Sequence, residues 1–155
     1  MENYHYTECG LDNVWVRGLD PVVDDEGEEI VTIPGINLLH RAIAESIVQA
    51  EDAMTGPELR FLRTEMGLTQ AELAGKIGMH AQEIGRWERG EHPINKQIDT
   101  LFRILAIRDL ELKCDDDVEK LIDLTTRAFP GPGERLHMID GTQPGRYEPE
   151  VRSAA

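Results

Sequence analysis

Leu68-Thr69-Gln70-Ala71-Glu72-Leu73-Ala74-Gly75-Lys76-Ile77-Gly78-Met79-His80-Ala81-Gln82-Glu83-Ile84-Gly85-Arg86-Trp87-Glu88-Arg89-Gly90 is the stretch on which the reading of this chain turns. Thr69 followed three residues later by Glu72 has the spacing of a capping box. A helix therefore starts near Gln70, turns Leu73 and Ile77 inward, and stops at Gly78. A second helix is expected from about His80 to Arg89, with Ile84 and Trp87 on its buried side and Gly90 closing it. Ala74 is small where the two helices would cross closely, and Gly78 permits the sharp turn between them. The outward front of the second helix carries Ala81, Gln82, Gly85 and Arg86.

The same periodicity extends on both sides. Thr55 and Glu58 repeat the capping box with Pro57 inside the first turn; Leu59, Leu62 and Met66 form an apolar stripe that Gly67 ends. Downstream, a helix from about Asn95 to Glu111 is expected to bury Ile98, Leu101, Phe102 and Leu105. Upstream, Leu38, Leu39, Ala42, Ile43, Ile47 and Val48 recur at helical spacing over residues 36–51. Before them lie short β-like runs: Val14-Trp15-Val16, Pro21-Val22-Val23 and Ile30-Val31-Thr32-Ile33, divided by Gly10, Asn13, Gly18 and an acidic turn from Asp24 to Glu29. These predict a small antiparallel sheet, marginal by itself, with its strands and Trp15 packed on the 36–51 helix. Residues 115–128 suit one more helix, and Pro130-Gly131-Pro132-Gly133 with the polar remainder to Ala155 reads as a flexible tail. The expected fold class is α+β, with a β-plus-helix module over 1–54, a helical domain over 55–112, and a short helix and tail over 113–155.

Gly67-Leu68-Thr69-Gln70-Ala71-Glu72-Leu73-Ala74, Gly78, Ile84, Trp87-Glu88-Arg89-Gly90 and the apolar helix that follows resemble the helix-turn-helix of the XRE/Cro family, the lambdoid repressor type, over residues 58–106. In such a motif the first helix braces across the DNA backbone and the second reads the major groove. The resemblance implies base reading by Ala81, Gln82 and Arg86. Glutamine pairs bidentately with adenine and arginine with guanine, and alanine contacts a thymine methyl group. It implies phosphate contacts from Thr69 and Gln70 at the start of the bracing pair, from Arg60 or Arg63, from Arg89 and from Lys96. Members of the family also pair the acid at Glu88 with an internal arginine, for which Arg63 is a candidate.

Composition sets the context. The net charge of −14 is uneven: twelve acids face two bases over residues 1–54, nine face eight over 55–112, and nine face six over 113–155. The middle segment is near neutral, and phosphate binding depends on local potential, so acidity overall does not exclude DNA. No apolar run approaches the roughly 18–20 residues that a membrane span needs. The amino-terminal Met1-Glu2-Asn3-Tyr4-His5-Tyr6 lacks signal-peptide character, and with Cys9 and Cys114 far apart the expectation is a cytoplasmic protein without a disulfide framework.

The wider layout resembles the MqsA/YgiT-type regulators, which carry an amino-terminal zinc module and act as antitoxins or autoregulators. Two Cys-x-x-Cys pairs are expected there, whereas this chain has Cys9 alone in that region. With His5 and His40 it offers three ligands at most, so neither zinc nor another cofactor is expected. Nothing resembles a nucleophile elbow or phosphate loop, so the expectation is not an enzyme. The partners expected are a double-stranded DNA operator, a second copy of the chain, and, in the antitoxin alternative, a basic toxin held by the acidic 1–54 region. The 1–51 module and the 95–128 helices both qualify as the dimer contact.

Overall fold

The capping residues place the helices where the sequence predicts them. In a computed structural model, which describes residues 3–50, 52–113 and 136–150, the strands are β1 (Tyr4–His5), β2 (Val14–Arg17), β3 (Val22–Val23), β4 (Glu29–Ile30), β5 (His137–Gln143) and β6 (Arg146–Pro149). The helices are α1 (Ile36–Gln49), α2 (Gly56–Glu65), α3 (Gln70–Ile77), α4 (Ala81–Glu88) and α5 (Lys96–Leu110). The architecture is α+β. Two compact units arise: the described residues up to Ser46 with those from Leu136 onward, and those from Ile47 to Lys113. Among the described residues no helix is long and apolar enough to cross a membrane.

The first unit holds a four-stranded sheet in the order β1-β2-β5-β6. β1 pairs antiparallel with β2, β2 runs parallel to β5, and β5 and β6 form a hairpin. The sequence reading is corrected at three points here. Residues 137–143 and 146–149, expected within a flexible tail, are strands. The sheet is mixed, because β5 lies beside β2 with Val14 opposite His137 and Val16 opposite Ile139. Pro21–Ile33 does not extend it; β3 and β4 make a separate two-stranded ribbon. Val14, Val16, His137, Ile139 and Tyr147 are buried with Leu39, Ala42 and Ile43 of α1. Hydrogen bonds tie this helix region to the sheet: Ser46 Oγ with His137 Nδ1 at 2.7 Å, Tyr6 Oη with His40 Nε2 at 2.8 Å, and Tyr147 Oη donating to the Pro34 carbonyl at 2.5 Å. Trp15, expected against the helix, alternates to the other face and stacks on His5 with ring centroids 4.1 Å apart. Leu38, expected on the apolar stripe, is exposed. The predicted 115–128 helix and the Pro130–Gly133 run lie outside the described residues.

In the second unit both capping boxes form. Thr55 Oγ1 accepts from Glu58 N and Thr69 Oγ1 from Glu72 N, while each glutamate accepts from the backbone N–H of its threonine. Gly78 adopts φ 70° as the left-handed cap of α3. Leu59, Phe61, Leu62, Leu73, Ala74, Ile84, Trp87 and Phe102 fill the core. α2 enters at very close range. A Cβ built on Gly56 would stand 2.4 Å from the Trp87 carbonyl oxygen, so only glycine fits between the start of α2 and the end of α4.

The phase of α5 departs from expectation. Its buried row is Asp99, Phe102, Arg103 and Ala106, while Leu101 is 43% exposed. The cause is an ion pair in the core. Arg103 Nε donates to Asp99 Oδ1 at 2.5 Å, and its other nitrogens donate to the carbonyls of Val48, Ala50 and Asp52. Asp99 Oδ2 accepts from Met54 N at 2.8 Å. The pair thus supplies donors to carbonyls at the end of α1 and pins the connection to α2. A charged pair with its partners satisfied takes positions that an apolar pattern assigns to Ile98, Leu101 and Leu105.

Candidate nucleic-acid interface

α4 is short, and its two sides differ completely. Ile84 and Trp87 are buried behind it, whereas Gln82 and Arg86 are exposed in front. His80 occupies its N-cap without a side-chain capping bond. The far end closes through Gly90, with Glu91 N donating to the Arg86 carbonyl at 3.0 Å.

Gln70, Ala81, Gln82, Gly85, Arg86 and Arg89 line one open concavity. Of the predicted site residues, this brings together all three base readers with Gln70 and Arg89. Arg60, exposed on α2, Thr69, which caps α3, and Lys96, the first residue of α5, do not line it. Gly85 contributes by having no side chain: a Cβ there would meet Arg89 Nη1 at 3.0 Å and Gln70 Oε1 at 3.5 Å. Its absence lets the amide and the guanidinium approach the helix backbone.

Arg63 is turned into the fold. Its Nε and Nη2 donate to the two Glu88 oxygens at 2.7 and 3.0 Å, and its Nη1 donates to the Leu68 carbonyl at 2.9 Å. Three of its five N–H groups are thereby engaged within the fold, in competition with the phosphate contact expected of it. Gln70 Nε2 also donates to Glu88 Oε1, at 3.3 Å, so this acid braces the start of α3 from beneath.

Two acids pair with the arginines of the site, pairings that the sequence did not announce. Glu83 accepts from Arg86 Nη1 at 3.4 Å, and Glu91 accepts from Arg89 Nη2 at 2.8 Å. The three-residue spacing of Glu83 and Arg86 on one helix was the available signal for the first.

A metal module does not fit the first unit. His5 Nε2 donates to the Asp12 carbonyl at 2.6 Å, His40 Nε2 is engaged with Tyr6, and Cys9 Sγ lies 4.0 Å from the Tyr6 carbonyl oxygen. Each group is committed separately. Among the described residues no cluster of three or more His, Cys, Asp or Glu is placed to hold a metal ion.

Residues 59–107, about a third of the chain, match the family model described as helix-turn-helix. The match supports an XRE-type helix-turn-helix domain, the DNA-binding module of transcription regulators. Comparison with curated proteins and with solved structures gives no match.

Proposed function

We propose that the chain is a sequence-specific transcription regulator that binds a palindromic operator as a homodimer and represses by occupying promoter DNA. In this reading it is a binding protein and not an enzyme. The observation that carries it is the placement of Gln82 and Arg86 side by side on the exposed front of α4, propped by buried Ile84 and Trp87. Gln82 suits adenine and Arg86 suits guanine, while Ala81 meets a thymine methyl group. Gln70 and Arg89 flank them as phosphate contacts, and Arg60, Thr69 and Lys96 would extend those contacts along the backbone.

Dimerism is proposed because a single reading helix rarely covers enough base pairs for specific binding. Leu101 and Ile104, 43% and 38% exposed on α5, support a contact with a second copy. Selection of bound DNA from a random library tests the whole reading: a two-fold symmetric consensus is expected. A consensus without symmetry, or unchanged in both Gln82→Ala and Arg86→Ala, would refute it.

A second reading is an antitoxin that neutralises a toxin and autoregulates its own promoter, in keeping with the resemblance to MqsA/YgiT-type regulators. It is favoured by one specific feature, the exposed acidic β3–β4 ribbon.

A further inference from the structure

A two-stranded ribbon is marginal in water unless something covers it. β3 and β4 form such a ribbon, pairing Val22 with Ile30 and Val23 with Glu29. Its apolar side chains stand in solvent: Val22, Val23 and Ile30 are 66%, 63% and 50% exposed. The ribbon is held instead by its turn. Asp24 Oδ1 accepts from Glu26 N at 2.9 Å and Glu28 N at 2.8 Å, Asp24 N donates to the Glu28 carbonyl at 2.8 Å, and Gly27 takes φ 85°. The strand edges are therefore preorganised without burial, and among the described residues each strand keeps one edge unpaired within its sheet.

Charge selects what could cover them. Asp20, Asp24, Asp25, Glu26, Glu28 and Glu29 surround the ribbon, and no lysine or arginine occurs between Arg17 and Arg41. A second copy docked on this ribbon would set carboxylates against carboxylates, and like charges directly opposite destabilise a strand pair. DNA is repelled for the same reason. A strand alternating apolar and basic side chains satisfies both features, because successive residues of a strand face opposite sides with a period of two.

We infer that the β3–β4 ribbon is a docking edge for an extended segment of a partner protein in which lysine or arginine alternates with aliphatic residues. The segment adds as a further strand. Its aliphatic side chains cover Val22 and Ile30 on one face of the ribbon, and its cations lie on the opposite face beside Glu29 and the acidic turn. This rests on the second reading and deepens it, narrowing the acidic amino-terminal surface to one strand edge and the basic partner to an extended alternating segment; it does not depend on how α4 reads DNA.

The test uses the full isotope-labelled chain and three blocked peptides that alternate Lys with Val, Glu with Val, and Lys with Ser. The Lys–Val peptide is expected to shift the amide signals of residues 20–33, and its affinity to fall about tenfold as salt rises from roughly 0.05 to 0.5 M. The other two peptides should leave those signals in place. Val22→Thr/Ile30→Thr and, separately, Glu26→Gln/Glu28→Gln/Glu29→Gln should each weaken binding about tenfold or more, the sum of small cross-strand terms. Both spare Asp24 and alter exposed side chains, and unchanged amide signals of β1, β2, β5 and β6 report an intact first unit. Gln82→Ala and Arg86→Ala should bind the peptide normally, which separates this inference from the DNA reading. Equal binding of the Glu–Val peptide, shifts confined to other residues, self-association through the ribbon, or no shift at millimolar Lys–Val peptide would overturn it.

Discussion

Arg103→Met replaces a guanidinium that is 0% exposed with an apolar chain of similar length. Asp99 then keeps a buried carboxylate with Met54 N as its remaining described donor, and the carbonyls of Val48, Ala50 and Asp52 lose theirs. Removing one member of a buried pair costs about 3–5 kcal/mol, chiefly because the other charge is left unpaired. We add nothing for the Ala50 and Asp52 carbonyls, since both residues are only half-buried and water can replace the lost donor. The loss compares with a typical domain stability of about 5–15 kcal/mol, so the variant should fold but unfold early. Adding Asp99→Asn removes the stranded charge while keeping an oxygen for Met54 N, and should restore about 1–3 kcal/mol. The assay is urea unfolding in a Trp15→Phe background. Trp15 and Trp87 lie in different units, so the remaining Trp87 fluorescence reports the helical unit alone, which matters because a two-unit chain need not unfold in one step. A loss below about 1 kcal/mol in Arg103→Met, or a double variant no more stable than the single, would refute the assignment of a buried, energetically coupled pair.

Three further outcomes are expected. Gln82→Ala and Arg86→Ala should each cost about 1–3 kcal/mol of discrimination at one operator position while leaving non-specific binding nearly unchanged, measured by competition against mismatched operators. Gly56→Ala pushes a Cβ into the Trp87 and Glu88 carbonyls and should destabilise the helical unit by about 1–3 kcal/mol in the same fluorescence assay; a neutral result would contradict the close approach of α2 to α4. In the first unit, the hydrogen bond from Tyr4 lowers the pKa of Glu8, and the bonds from Thr142 N and Oγ1 lower that of Asp140. A folded-state pKa below the unfolded value gives stabilisation that is present above the unfolded value and lost as pH falls through the folded one. Trp15 fluorescence should therefore show this unit weakening below about pH 4, and Asp140→Asn should flatten part of that dependence.

The helix-turn-helix was legible because its signals are local. A capping threonine and its glutamate lie three residues apart, and Gly78 marks its turn without reference to the rest of the chain. Gln82 and Arg86 followed from those boundaries, since helical phase fixes what faces outward. Features that depend on distant partners were not legible. β5 contains a single strong aliphatic inward residue, Ile139, with His137 and Gly141 at the other inward positions, so its alternation does not stand out from a polar tail. Its partner β2 lies more than a hundred residues earlier, and no local rule announces a parallel pairing. The phase of α5 failed for a related reason. Asp99 and Arg103 carry no apolar signal, and only the carbonyls of residues 48–52 and the Met54 N–H make their burial tolerable. Arg63 sits between these cases: its pairing with Glu88 could be suspected from the family pattern, but choosing between acid and phosphate required the geometry.

The two arginines lining the reading surface each have a carboxylate neighbour, and relative magnitudes decide whether those acids silence them. Arg86 meets Glu83 at a long 3.4 Å with both side chains substantially exposed, and Arg89 meets Glu91 in a still more exposed pair. Exposed pairs of this kind contribute about 0.2–1 kcal/mol. A bidentate contact from arginine to guanine is worth about 1–3 kcal/mol of discrimination, so under the proposed function Arg86 would gain by exchanging Glu83 for the correct base. On DNA without that base the exchange would return nothing, and Arg86 would keep its acid, which adds repulsion towards the phosphates. In the proposed function Glu83 would therefore discount both kinds of site but leave a net reward only at the specific one. Glu88 takes no part in this competition, because Arg63 and Gln70 already occupy its oxygens. The acids of this helix thus divide by burial: the one held inside fixes the geometry of α4, and in the proposed function the exposed one would set the threshold that a base sequence must exceed to be bound.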